Sequence, residues 1–361
     1  MPSSTLRRAA FGVHRLVGGR CRPAGLVVGL ALLLLAACGK APDLVVYVSA
    51  DEQVARPVIE AFERESGLKV AARFDTEATK TTALASALRA ERDRPRADVF
   101  WSSECFAMAQ LAKEGILEPV TTGIFAEWPA AYRDAEQRWF GFSARARVLV
   151  YAPDRVSPEE VPDTWMDLTR PWWKGRIAMA DPRFGTTRGH FGAMQSFFER
   201  SLRIPGYWDA FIEGFAENQP QLLTGGNAAV VDAVARGEAD IGLTDTDDVL
   251  AAQARGAKVQ WIMARHDPAA DRGGGTLLIP NTVGLVAGAP HRSNAVWFME
   301  YLVSAGVQER LAASESRNWP LGVDAPAGLD PLPDDPMRVD VQDAADRMDA
   351  AVADLLKALG R

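Results

Sequence analysis

Along the chain, short unbroken apolar runs alternate with segments whose apolar positions recur at helical spacing. Residues 44–48, Leu-Val-Val-Tyr-Val, form a continuous run of strand-forming side chains, as expected of a parallel strand covered on both faces. Residues 52–66 follow, with Val54, Val58, Ile59 and Phe62 on one helical face and Gly67 as the stop, a pattern that predicts a helix. The alternation then repeats. Strands are expected at 68–74, 97–101, 148–151, 176–179, 239–243, 277–280 and 283–287, and helices at 81–91, 104–114, 190–202, 207–218, 228–236, 294–302 and 305–313. Proline and aspartate crowd 323–335, which reads as a surface loop before a last helix at 341–359. Strand and helix in alternation predict an α/β fold with right-handed crossovers.

Polar residues gather where strand passes into helix. The junctions are Ser49-Ala50-Asp51, Ser102-Ser103-Glu104, Gly185-Thr186-Thr187-Arg188-Gly189, Thr224-Gly225-Gly226-Asn227 and Thr244-Asp245-Thr246-Asp247. Any one of these is explained by helix capping, because hydroxyls and carboxylates accept the free N–H groups of a first turn. In an open α/β sheet the same positions lie beyond the carboxyl ends of the strands, where ligands bind. Helix N-termini there favour anionic groups by about 0.3–1 kcal/mol each. Five such junctions in one chain predict a polar cleft.

The start of the chain changes the address of this domain. Residues 1–37 carry five arginines and no acid, then an apolar run from Leu26 to Ala37. That order is a secretory leader, and the run is shorter than the roughly 20 residues a membrane span needs. Leu35-Ala36-Ala37-Cys38-Gly39 resembles the bacterial lipobox. The expectation is a signal peptide at 1–37, lipidation at Cys38, a tether at 38–42, and export to the envelope side of a bacterial membrane, touched only through the lipid. Loss of the five leader arginines leaves 35 basic residues against 47 acids, a formal charge of −12. So acidic a chain argues against nucleic acid as a partner. About 320 mature residues exceed one usual core and imply two lobes. Cys105 has no partner for an intrachain disulfide once Cys21 is removed and Cys38 acylated. It reads as a small buried side chain.

Catalytic signatures are missing from the sequence. There is no Gly-x-Ser-x-Gly elbow, no phosphate loop and no His-Glu-x-x-His pair. Asp245, Asp247 and Asp248 form the one acidic set suited to acid–base work, and its plainer explanation is a solvated helix start. The expectation is a binding protein, with a cleft hydrolase as the competing class.

Several stretches carry a resemblance: Val45-Val46-Tyr47-Val48-Ser49, Ala97-Asp98-Val99-Phe100-Trp101-Ser102-Ser103-Glu104, residues 144–151, Trp172-Trp173-Lys174-Gly175-Arg176-Ile177, Asn227 with Gly237-Glu238-Ala239-Asp240, and Arg265-His266-Asp267-Pro268. Together they resemble the periplasmic solute-binding proteins of bacterial ABC importers, the family that includes ferric-iron receptors. The resemblance implies two α/β lobes joined by two crossing strands, with solute in the cleft and hinge closure on binding. The lobes would comprise 43–145 with 275–325, and 146–274 with 326–361. It also implies a permease and an ATPase as partners of a monomeric receptor.

Carried over position by position, the cleft would be lined by Ser49, Asp51, Ser103, Glu104, Arg147, Thr186, Thr187, Arg188, Asn227, Asp245, Asp247 and Asp248. Ferric receptors of this family bind iron(III) through a tyrosine pair, and Thr246-Asp247-Asp248 stands in its place here. The first-lobe ligand positions fall on Asp51 or Glu52 and on Ser103 or Glu104, so the implied metal set is Asp51, Glu104 and Asp247, with a small anion at 185–189 near Asn227 and with Arg145 or Arg147 as counter-charge, and its affinity is expected to be weaker. The alternative is a zwitterionic or phosphonate-type solute, its amine on Asp247 and Glu104 and its oxyanion on Arg188, Thr186 and Thr187. A sensor lipoprotein of the same fold is a further reading. His190 reads as a helix-start residue. Trp101 either stacks on solute or packs in the lobe, while Trp165, Trp172 and Trp173 read as structural.

Overall fold

The computed structural model describes residues 41–75, 81–267, 269, 273–315, 317–322 and 331–361. The leader, Cys38 and most of the tether lie outside these residues, as does most of the 323–335 loop. Residues 42–361 form one compact unit.

Its first half begins with β1 (Leu44–Ser49), α1 (Glu52–Ser66), β2 (Val70–Phe74), α2 (Thr82–Ala90), β3 (Val99–Ser102), α3 (Phe106–Lys113) and the short β4 (Leu117–Glu118). The stop expected at Gly67 is present: φ is +72° and its N–H donates to Glu63 O, a left-handed cap that glycine takes without a Cβ penalty. The long β5 (Phe140–Tyr151) leads on to β6 (Ile177–Ala180), α4 (Gly185–Ser196), α5 (Tyr207–Glu217), β7 (Gln221–Leu223), α6 (Gly226–Arg236), β8 (Ile241–Asp245), α7 (Thr246–Ala254) and β9 (Gln260–Ile262). The chain returns through β10 (Leu278–Val286), α8 (Arg292–Leu302), α9 (Ala305–Ala313), β11 (Trp319–Pro320) and α10 (Val341–Ala358).

The strands run in the order β2-β1-β3-β10-β5-β8-β6-β7. β5 belongs to both halves of this array. Residues 140–146 pair antiparallel with β10, and residues 147–151 pair antiparallel with β8. At the changeover Arg147 N–H donates to Leu277 O at 2.9 Å, so two neighbouring chains cross between the halves.

Three expectations are corrected here. β5 starts at Phe140 rather than 148, because Ser143, Arg145 and Arg147 interrupt the apolar pattern although all three are buried. The strands expected at 277–280 and 283–287 are one strand, β10, with a register shift at Asn281/Thr282. Helix α4 begins at Gly185 and not at 190, so the threonine loop is its first turn and His190 is buried in its second.

Helix α4 packs against α10 and α3 at glycines. A Cβ on Gly192 would run into the Ala344 carbonyl and Met348, and one on Gly189 into the Phe106 ring. Beneath this contact His190 Nε2 lies 2.9 Å from His266 Nε2, and His266 Nδ1 lies 2.7 Å from Gly275 O. The carbonyl can only accept, so His266 carries its proton on Nδ1 and accepts from His190 Nε2–H. His190 Nδ1 has no partner. Burial holds His266 down to about 4, with Arg265 adding to it and the Gly275 bond opposing. Burial, then His266 and Arg147, hold His190 well below the usual histidine range. Among the described residues, no helix is long and apolar enough to cross a membrane.

Gly192→Ala is expected to cost about 1–3 kcal/mol by overpacking and to lower Tm by several degrees in a thermal melt. Gly306→Ala, where a Cβ meets nothing within 4 Å, should leave Tm unchanged or slightly raised. The histidine pair predicts an acid-side loss of stability. Above about pH 6.5 both states are neutral; from there down to about 4 the unfolded chain takes up protons that the folded chain refuses. Stability then falls by up to about 1.4 kcal/mol per pH unit for each histidine. Replacing both residues, His190→Gln with His266→Gln, should flatten Tm against pH across that window.

Candidate functional site

All five strand-to-helix junctions open on one cleft between the two halves, an open space of about 890 Å³. Asp51, at the start of α1, and Ser103, beyond β3, line it from the first half. Thr186 and Thr187 come from the first turn of α4, Asn227 from that of α6, and Asp245, Asp247 and Asp248 from the end of β8 and the start of α7. These eight sequence-predicted residues are brought together. The acids of α7 also complement the positive end of their helix.

Four predicted residues lie elsewhere. Ser49 is wholly buried, donating to Asp75 Oδ2 at 3.2 Å and accepting from the Thr81 hydroxyl at 3.1 Å. Glu104 is 2% exposed and serves the start of α3, its carboxylate accepting from the N–H groups of Phe106 and Ala107. Burial raises its pKa against the pull of those two bonds. Arg188 points to α10, pairing with Asp349 Oδ1 at 2.6 Å. Glu104 and Arg188 line a separate crevice with Thr81, Gln110 and Met348. Arg147 is 0% exposed and lies beneath the floor, behind Asp245.

The floor is an ionic network. Arg145 Nε donates to Asp245 Oδ2 at 3.1 Å and lies 3.4 Å from Asp247 Oδ2; its Nη1 donates to the Ser103 carbonyl. Arg147 Nη1 donates to Asp245 Oδ1 at 2.9 Å and Nη2 to Thr187 Oγ1 at 3.0 Å. Thr186 Oγ1 and Asn227 Nδ2 donate to Asp245 Oδ2 at 2.8 and 2.9 Å. Burial pushes the Asp245 carboxyl up, but Arg145, Arg147 and these bonds outweigh it and hold it below the usual range. Burial likewise opposes the Arg145 charge, and Asp247 and Asp245 more than compensate. Oxygens of Asp245, Asp247 and Asp248 all lie within 4.8 Å of one another.

Sequence reasoning kept Arg145 only as a counter-charge and missed Asp181, Phe184, Asn281 and Asn318, which also line the cleft. Asp181 directly follows β6, so the strand-end rule reaches it; Arg183 pairs with it and lowers its pKa. Asn281 was hidden inside an apolar strand. Trp101 borders the cleft but is 1% exposed and packs edge-on against Phe142 at 6.0 Å. Trp165 and Trp173 are buried, whereas Trp172 is exposed beneath the Arg176 guanidinium. None of the five tyrosines is among the lining residues.

Comparison with known proteins places the fold. The chain is similar to iron uptake protein A1 of Synechocystis, 28% identical over 308 residues, spanning 77% of this chain and 79% of that protein. Its fold matches iron-bound HitA from Pseudomonas aeruginosa with a TM-score of 0.73 at 21% identity, over 86% of this chain and 98% of that one. It also matches AfuA from Actinobacillus pleuropneumoniae, solved with fructose-6-phosphate, with a TM-score of 0.71 at 19% identity, over 88% and 98%. The architecture is thus the two-lobed α/β fold of periplasmic binding proteins. A family profile described as bacterial extracellular solute-binding protein matches residues 48–309, and the chain belongs to that family, whose members capture solutes rather than transform them.

Proposed function

We propose that this chain is the solute receptor of an ABC importer and that its cargo is iron(III), held by the carboxylates of Asp51, Asp247 and Asp248. The observation that carries the reading is the acidic pair Asp247 and Asp248 at the head of α7, in a cleft that Asp51 also lines. Iron(III) is a hard cation suited to carboxylate oxygen. Asp248 replaces Glu104 in the expected metal set, since the Glu104 oxygens are engaged by backbone N–H groups of α3. Relatives named for iron uptake and iron binding support the choice of cargo.

The lobes in this reading are 43–145 with 275–325, and 146–274 with 326–361; the changeover of partners within β5 supports that division. Cleft closure over the ion turns on β5 and β10. A leader at 1–37 directs export and is removed, and a lipid on Cys38 then holds the monomeric receptor near its permease and ATPase on the envelope side of the membrane.

Ferric ion delivered as the acetohydroxamate complex should raise the melting temperature of the purified protein, since a ligand at 100 times its Kd adds about 2.7 kcal/mol. Asp247→Asn with Asp248→Asn should abolish that rise. Glu104→Gln should destabilise the metal-free protein by about 1 kcal/mol for a weakened cap, read as a lower Tm, and keep the ferric response. A wild type that ignores iron yet is stabilised by an aminophosphonate or a sugar phosphate would overturn the iron reading in favour of an organic solute.

A further inference from the structure

Asp245 occupies the N-cap position of α7, with the extended backbone such a residue takes (φ −115°, ψ 156°), yet its side chain makes no cap bond. The carboxylate turns instead toward the start of the two neighbouring helices. It accepts from Arg145 Nε, Arg147 Nη1, Thr186 Oγ1 and Asn227 Nδ2 at 2.8–3.1 Å. Three of these donors reach Oδ2 and one reaches Oδ1, and Asp245 is 1% exposed, so its carboxylate is spent mainly on the protein's own donors. Asp245 and the two arginines are each at least 96% buried.

Without Asp245, the remaining groups describe a receptor for a small oxyanion. Two guanidiniums supply fixed charge and the fork geometry that matches a carboxylate or phosphate. Thr186 and Asn227 are each the second residue of their helices, α4 and α6, where first-turn N–H groups and the helix dipoles favour negative charge. The cradle is lined for an anion, and the protein's own carboxylate is in it.

We propose that Asp245 is the resident anion of the cleft, filling a cradle that would otherwise take a free oxyanion, so that the solute binds as a cation with no co-bound anion. The proposal rests on the cation reading given above and refines it. It assigns Asp245 a positioning role: it pairs with both arginines and offsets one of their two charges, beside Asp247 and Asp248 on the cleft wall. It also accounts for the loop at 185–189, whose Thr186 and Thr187 hydroxyls are turned onto Asp245, Arg147 and Asn227.

The test is a set of metal-free melts at constant ionic strength, in a chloride buffer lacking phosphate and carboxylates, with formate or inorganic phosphate titrated in. Wild-type Tm should not respond. Asp245→Ala and Asp245→Asn should melt lower and be rescued saturably by formate or phosphate, by several degrees. With ferric acetohydroxamate, the wild type should respond equally with and without phosphate, and the variants only when an anion is supplied. A saturable rise of wild-type Tm with formate or phosphate would overturn the proposal. So would folded variants that ignore both anions. If neither variant folds, the wild-type titration decides alone. A wild type that ignores ferric ion in both buffers sinks the iron reading, while the metal-free melts still judge the resident anion.

Discussion

Arg145 and Arg147 stand two residues apart on β5, so both project from the same face of a strand whose residues are buried up to the last. Burying an unpaired guanidinium costs several kcal/mol, and removing one partner from a buried pair costs about 3–5 kcal/mol. The fold answers with Asp245, placed directly opposite Arg147 in the β5–β8 register. Around that triad the first turns of α4 and α6 converge, because Thr186, Thr187 and Asn227 complete the hydrogen bonding that the charges demand. The arrangement of the cleft floor follows from that demand.

Where the structure was legible in the sequence, one local rule sufficed. Apolar runs such as 44–48 gave strands, and polar residues at the carboxyl ends of strands marked the cleft. Legibility failed wherever tertiary charge pairing overrode pattern. Residues 140–147 look half polar, yet they lie in the middle of a sheet because their arginines find Asp245. Glu104 and Arg188 were placed in the cleft by adjacency to the right junctions, but adjacency does not fix direction. Glu104 folds back on its own helix start, and Arg188 leaves α4 on the side facing α10. The packing of α4 on Ala344 and Met348 pairs positions about 150 residues apart, and periodicity along one segment carries no information about such a partner.

The acids of the cleft divide by what holds them. Asp245 is answered by two arginines and Asp181 by Arg183. Asp247 shares Arg145 at a longer 3.4 Å and, with Asp248, is only partly buried. A polar cleft thus separates into a buried layer of paired charges and a more exposed layer that carries Asp247 and Asp248.

β5 supplies hydrogen bonds to both halves, and one apolar cluster runs without a break from Phe100, Phe106 and Leu117 to Leu149, Phe191 and Met348. Each half also keeps a cluster of its own, around Phe62 and Phe298 in the first and around Val148 and Val231 in the second. The shared strand and the shared cluster couple the two, so a lesion beside β5 weakens packing that both halves use.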